Sequence, residues 1–423
     1  MTPDITEQSE KCSLFYQQYR NIVDSNKVDI CSRVFHSRAN GQTDVSLNPV
    51  ANIDGAKIKK GMIHLGSYNY SGLNSHPAII EAAQDALLRY GTTSSGVRLL
   101  NGTFDVHLTL EERLAKFIGH EACMTFSSGY AANMSVLGAL CGPDDIVFSD
   151  QLNHQSIKDG LKLSGAHVVT FKHASMKHLE QKLNSSPSDK RKIIVTDGVF
   201  SMDGDIANLP EITKLANKYN AFVIVDDAHG VAAVGPNGRG TVAHFGLEYK
   251  VDVVIGSLSK GLPGIGGFVV ASQRTIETLF FGANSYVFSA SLPPVIVGGL
   301  IEAIYVLMEN PDIQNSLHEN ENYLREELQK LGFDTMGSCT PIIPILMPDT
   351  ETAYACTREL HNQGVYVNPV TAPAVSRKLT RLRLNVSACL SREDLNKALK
   401  AFENIIPLLN RSSDDVNTTS NIA

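Results

Sequence analysis

Phe222-Val223-Ile224-Val225-Asp226-Asp227-Ala228-His229 is the stretch from which the fold can be read. Four apolar residues in a row, three of them β-branched, predict a strand buried on both faces, as in a parallel sheet covered by helices. The strand delivers two carboxylates and a histidine at its carboxyl end, where open α/β sheets bind their ligands. Outward from it the same kind of run recurs at Cys123-Met124-Thr125-Phe126, at Ile146-Val147-Phe148 and over 167–171, 192–196, 251–255 and 268–271. Helix-length amphipathic segments lie between several of these runs. One is 209–219, with Pro210 in its first turn. Another follows Pro77, where Ile79, Ile80, Ala83, Leu87 and Tyr90 have helical spacing and Gly91 ends the pattern. Alternating strand and helix predicts an α/β fold with a mostly parallel sheet and helices on both faces.

Farther out the pattern changes. Residues 273–331 read as largely helical, followed by short strands over 342–345 and 382–386 and helices near 351–363 and 392–405. This predicts a smaller C-terminal α+β domain. The expected division is an N-terminal arm at 1–60 with a short helix near 13–23, a large domain at 61–292, a small domain at 293–411 and a disordered tail at 412–423.

Composition narrows the classes. The net charge of -7 is spread without a dominant block, so no nucleic-acid footprint is present. The seven cysteines include no C-x-x-C pair, which fits thiols in a reducing compartment. Residues 1–20 carry acids and no apolar core, so no signal peptide is read there and a cytoplasmic location is expected. The longest apolar stretch, 293–308, is interrupted by two glycines and Glu302, too short and polar for a bilayer span. No strongly basic amphipathic helix is evident, so membrane contact is expected to be peripheral at most.

Four local signals carry chemistry. Gly256-Ser257-Leu258-Ser259-Lys260-Gly261 follows an apolar strand. A lysine desolvated at a strand end can be neutral and nucleophilic, although a glycine-rich surface turn is the ordinary place for one. In Asp226-Asp227-Ala228-His229 a carboxylate can sit beneath a pyridine nitrogen and keep it protonated. Metal ligation is the competing reading of that cluster, and no other acid or histidine group has partner spacing, so no metal is expected. Ser127-Ser128-Gly129-Tyr130 joins a strand to a helix whose first N–H groups suit a phosphate. His154, in Asn153-His154-Gln155-Ser156, lies just past a strand and can stack on a ring or simply face solvent.

In this order, the segments resemble the α-oxoamine synthases, fold-type I pyridoxal 5'-phosphate (PLP) enzymes. The likeness runs from about Ile63 to Ile405 and includes Gly66-Ser67-Tyr68-Asn69-Tyr70, Arg98-Leu99-Leu100-Asn101-Gly102-Thr103, Asp197-Gly198-Val199-Phe200-Ser201-Met202-Asp203-Gly204 and Phe288-Ser289-Ala290-Ser291-Leu292-Pro293-Pro294. It implies a PLP-transferase fold with a seven-stranded type of sheet. It also implies roles. Lys260 would hold the cofactor and move protons, Asp226 would pair with the ring nitrogen, His229 would bond the ring hydroxyl, and His154 would stack over the ring. Ser128, Gly129, Tyr130, Ser257 and Ser259 would hold the phosphate, with Ser289 and Ala290 reaching it from the second subunit of a homodimer. Asn69 would line the substrate side, and Arg383 would bind the amino-acid carboxylate. The likeness is greatest to the soluble bacterial serine palmitoyltransferase branch, which joins L-serine to a long-chain acyl-CoA and releases carbon dioxide, giving a 3-keto long-chain amine in the first step of sphingolipid synthesis. The alternatives are the amino-oxononanoate synthases of the biotin pathway, which use alanine and a shorter acyl thioester, a secondary-metabolism amino-ketone synthase, and a non-catalytic partner subunit, against which Lys260, Asp226, His229 and His154 argue. Ala388-Cys389-Leu390 lacks a histidine that the family often carries there, and Pro263 is atypical.

Overall fold

The computed structural model describes residues 33–46 and 58–409, with separate helical positions between 14 and 21. The expected tail at 412–423 and most of the arm lie outside these residues. In chain order the strands are β1 (Val34–Phe35), β2 (Gln42–Ser46), β3 (Ile58–His64), β4 (Ala122–Phe126), β5 (Asp145–Asp150), β6 (His167–Phe171), β7 (Arg191–Asp197), β8 (Ala221–Asp226), β9 (Val253–Ser257), β10 (Gly267–Ala271), β11 (Ile342–Leu346), β12 (Val365–Tyr366), β13 (Asn368–Val370) and β14 (Arg381–Asn385). The apolar runs became strands because helices cover both faces of their sheet. Val225, Val254, Phe148 and Val270 are fully inaccessible to solvent, and so are Val147, Val136 and Leu137 on the other side.

The large sheet has seven strands in the order β4-β10-β9-β8-β7-β5-β6. Strands β6, β5, β7, β8 and β9 run parallel, and β10 is antiparallel to both its neighbours, β9 and β4. The exception has a simple cause. The connection from β9 to β10, residues 258–266, is too short for a crossover helix, which needs roughly a dozen residues or more. Strand β4 points the same way as β9, so the carboxyl ends of β4, β5, β7, β8 and β9 all open on one edge.

The division into cores differs from the expected boundaries at both ends. Helix Pro294–Glu309, expected in the small domain, packs along helix Pro77–Tyr90 of the large one. Gly298 permits this, because a Cβ there would lie 2.7 Å from the Ala86 Cβ and 2.9 Å from the Ala82 carbonyl. Val297, Leu300, Ala303, Ile304 and Leu307 are thereby buried in the large core. At the other end, Ile63, Leu65 and Tyr70 join the small core with Ile343, Leu382 and Leu384, and β3 pairs in parallel with β12 through Ile63 and Val365. The chain therefore enters through the small core, builds the large one, and returns. Among the described residues no single helix is long and apolar enough to cross a membrane.

Candidate active site

The strand ends converge on a cavity of about 240 Å³, lined by Ser128, Gly129, His154, Asp226, His229 and Lys260 among others. Four strand ends deliver them. Ser128 and Gly129 follow β4, His154 follows β5, Asp226 closes β8, and Ser257 closes β9 with Lys260 in the turn beyond it.

Lys260 has no hydrogen-bond or ion-pair partner among the described residues. Burial holds its ammonium below the usual lysine range, the charges of Asp226 and Asp197 offset this in part, and Arg383 lowers it further. Asp226 is the opposite case. Its Oδ2 accepts from Asn133 Nδ2 at 2.6 Å and its Oδ1 from the Ala228 N–H at 3.1 Å, so the carboxylate is held in one orientation. Its neighbour Asp227 turns away from the cavity, accepting from the Thr241 N–H at 2.6 Å and donated to by the Thr241 hydroxyl at 2.9 Å. Gly198, Gly230 and Gly240 close round it, and a Cβ on any of them would come within 2.4 Å of its oxygens. Burial is what pushes Asp227 up to about 7. One carboxylate of the pair therefore faces the cavity and the other braces the turn.

Both histidines are held below the usual imidazole range. Nδ1 of His229 lies 2.8 Å from the hydroxyl of buried Tyr70, and burial followed by the charges of Lys260 and Arg383 keeps the ring well below the usual imidazole range. His154 caps helix Gln155–Ser164, its Nδ1 accepting from the Ser156 N–H at 3.3 Å, and burial lowers it as well. Asp197 was not anticipated as a site residue. It ends β7 beside Asp226, accepts from the His154 N–H at 3.0 Å, and is held well above the usual carboxylate range by burial and then by the Asp226 charge. Asn133, Ser156 and Ser201 also line the cavity without having been singled out. The signal for Asp197 was available, since it closes an apolar run as Asp226 does.

The residues present fit PLP. Ser128 caps helix Gly129–Leu140, its hydroxyl accepting from the Ala131 N–H at 3.1 Å. That leaves the N–H groups of Gly129 and Tyr130 at the helix start with no protein acceptor among the described residues, a ready anion site. The Ser257 and Ser259 hydroxyls, 2.9 Å apart, face the same cavity. A phosphate cradle, an oriented carboxylate and an unpaired, desolvated lysine are the donor set the cofactor requires.

The substrate side is assembled differently. Arg383, on β14, is buried, and its guanidinium donates to the Ser201 carbonyl at 3.2 Å and to the Tyr68 hydroxyl, with the Tyr68 ring 5.0 Å away. Its Nε has no partner among the described residues. Two other buried arginines are matched to acids: Arg98 to Glu111 at 2.6 Å and Arg381 to Asp203 at 2.7 Å. Arg383 has no such carboxylate among the described residues. Asn69 is placed away from the cavity, its amide donating to the Ala39 carbonyl at 3.2 Å, and Tyr68 takes the position beside Arg383 instead. Ser289 and Ala290 do not line the cavity of their own chain. Ala290 bridges to Val97, and the next residue, Ser291, bonds Ser94 and the Gly102 carbonyl at 2.6 Å each.

Comparisons with known proteins agree with this geometry. The family model for class I and II aminotransferases matches residues 60–402. A serine palmitoyltransferase from Bacteriovorax stolpii is 44% identical over 81% of this chain and 82% of its own. An 8-amino-7-oxononanoate synthase from Thermoanaerobacter pseudethanolicus is 43% identical over 86% of this chain and 91% of its own. The solved serine palmitoyltransferase from S. paucimobilis with bound PLP and myriocin superposes with a TM-score of 0.88 at 31% identity, covering 98% of this chain and all of that one.

Proposed function

The chain belongs to the class I and II aminotransferase family and, within it, to the α-oxoamine synthases, PLP-dependent acyltransferases, and from that premise we propose that it joins L-serine to a long-chain acyl-CoA with loss of carbon dioxide. The product would be a 3-keto long-chain amine, the entry to sphingolipid synthesis. The observation that carries the amino-acid half is Arg383, a buried cation bonded to Tyr68 and to the carbonyl of the cavity residue Ser201, with no carboxylate of its own among the described residues. The near full-length likeness to a serine palmitoyltransferase structure supports serine, and 8-amino-7-oxononanoate synthases, which are equally similar in sequence, make alanine the alternative.

PLP, when bound, supplies an electron sink for a carbanion next to the amino group. The chain's own residues then divide the work. Arg383 would take the substrate carboxylate and set which bond at the α-carbon stands over the ring. Lys260, its ammonium form disfavoured by burial, would take the α-proton, leaving the carbon free to attack the thioester carbonyl as the thiol departs. After the carboxylate leaves as carbon dioxide, the same amine would return a proton to that carbon. Asp226, held by Asn133 and Ala228, would face the ring nitrogen, and His154 would cover one face of the ring and exclude water. Ser289 and Ala290, remote from their own cavity, fit a homodimer in which they complete the partner's phosphate site.

Titration of the holoenzyme with serine, alanine and glycine, followed by the cofactor's absorption, tests the choice of amino acid. Serine is expected to perturb the spectrum at the lowest concentration. Alanine acting at lower concentration than serine would move the assignment to the 8-amino-7-oxononanoate synthase reaction.

A further inference from the structure

Asn133 and Ser156 are two buried polar side chains that touch no reacting atom, and they connect two groups placed against the cofactor. Asn133 lies on helix Gly129–Leu140 and Ser156 on helix Gln155–Ser164. Asn133 Nδ2 is 2.6 Å from Asp226 Oδ2 and 3.0 Å from Ser156 Oγ. Ser156 Oγ is in turn 2.7 Å from Nδ1 of His154.

The direction of every hydrogen in this chain follows from its ends. A carboxylate oxygen can only accept, so the Asn133 amide must present its NH₂ to Asp226, and the flipped amide would set two oxygens against each other. The second hydrogen of that NH₂ then points at Ser156 Oγ, which accepts it. With that lone pair occupied, the Ser156 hydroxyl is free to donate to Nδ1 of His154. Nδ1 also receives the Ser156 backbone N–H at 3.3 Å, a group that cannot accept. Two donors aimed at one ring nitrogen leave it no room for a proton. Asn133 Oδ1 is buried without a partner among the described residues, a cost that this orientation imposes.

The two helices come close enough for this because of Gly160. A Cβ there would lie 2.9 Å from the Asn133 carbonyl and 3.1 Å from the Met134 Cα. The close approach is thus built into the helix that carries Ser156.

We propose that Asn133 and Ser156 are positioning residues, which fix His154 as its Nε2–H tautomer and Asp226 in one orientation through a single hydrogen-bond chain. The group over the cofactor ring and the group at its nitrogen are then set together. This does not depend on which amino acid is the substrate.

The charged and titratable groups facing His154 are Lys158 on its own helix, Tyr130 from the opposite helix, Asp197 from β7, Asp226 and His229 from the end of β8, and Lys260 beyond β9. Burial lowers His154, Lys260 and Lys158 add to that, and Asp226 opposes it. None of these is altered when the Ser156 hydroxyl is removed, so that variant isolates the chain.

The test is histidine ¹⁵N NMR on the holoenzyme, with His154 assigned by its absence from His154→Asn, together with cofactor affinity. In the parent protein His154 is expected to show an unprotonated Nδ1. Ser156→Ala should raise the His154 titration by about half a pH unit or more towards the ordinary imidazole range, and Ser156→Thr, which keeps the hydroxyl, should restore it. Gly160→Ala, which pushes the helices apart, should shift it the same way by less. Asn133→Leu should weaken PLP binding about tenfold by leaving Asp226 without its charge-assisted donor. A protonated Nδ1 in the parent, or a Ser156→Ala protein with lowered Tm and an unmoved His154 titration, would overturn the proposal.

Discussion

The two walls of the cavity are built on different plans. The cofactor-facing wall comes from the ends of neighbouring strands in one sheet, and its carboxylate and imidazoles are held by neighbours, Asp226 by Asn133 and Ala228, His154 by Ser156 and His229 by Tyr70, with Lys260 and the first N–H groups of the helix after Ser128 left open. The substrate-facing side, of whose three residues Ser201 alone lines the cavity itself, is drawn from both cores. Arg383 comes from the small sheet, Tyr68 from the chain's first passage through the small core, and Ser201 from a loop of the large domain. It retains a buried guanidinium nitrogen without a partner among the described residues. The comparison teaches that one wall is preorganised for a reaction type and the other is left incomplete for a ligand to finish. A reaction shared by relatives with different substrates needs that separation.

The largest effect that would break the comparison lies on the first wall. Lys260→Ala is expected to lower kcat by roughly 10³-fold or more with the fold retained, since among the described residues that line the cavity no other amine is placed to move the proton. Single-turnover kinetics beside a circular dichroism spectrum would check it. On the second wall, Arg383→Lys should act on binding. Loss of the planar fork is expected to raise KM for the amino acid about tenfold to a hundredfold, about 1.4–2.7 kcal/mol, with kcat much less affected. Steady-state kinetics with serine as the varied substrate separates the two walls, and equal losses in kcat and kcat/KM from Arg383→Lys would merge them.

How much of each wall could be read from sequence follows from the same difference. Asp226, His229, Lys260 and His154 were legible because each closes or follows an apolar run, and strand ends are where such sheets bind ligands. The seven-stranded, mostly parallel sheet was legible for the same reason. The turn that makes β10 antiparallel was in view as a glycine-rich segment, but its shortness was not weighed. Asn133 and Ser156 were not legible as site residues, because their partners are set by helix packing: Asn133 meets Asp226 across 93 residues of chain and Ser156 across 23. Asn69, expected on the substrate side from its motif, bonds the Ala39 carbonyl, and its neighbour Tyr68 stands beside Arg383. The core boundaries were missed because Gly298 decides them by the space it leaves beside Ala82 and Ala86, which spacing alone does not reveal.

A smaller effect concerns the joint between the walls. His173 has Asp150, at the end of β5, 3.0 Å from one ring nitrogen and Asp205, on the Ser201 loop, 3.1 Å from the other. Burial opposes its charge, but the two carboxylates more than offset this and push it up to about 10. A histidine raised in the folded state stabilises fully below the unfolded value of about 6.5 and loses that contribution as pH rises through about 10. Urea midpoints of the parent protein should therefore fall between pH 7 and 10, and His173→Gln should flatten that part of the profile. The smallest effect is in the small domain alone. Asp349 caps helix Thr350–Asn362, accepting from the Thr352 N–H at 2.7 Å. Asp349→Ala should cost about 1 kcal/mol of stability by urea denaturation and leave cofactor binding unchanged.

The central claim is that Lys260 is the amine to which PLP is attached. Borohydride reduction of the loaded protein, followed by digestion and mass spectrometry of the peptides, addresses it directly. The account predicts a pyridoxyl group on the peptide containing Lys260 and on no other. Its recovery on a different lysine, or its absence from fully loaded protein, would contradict the account.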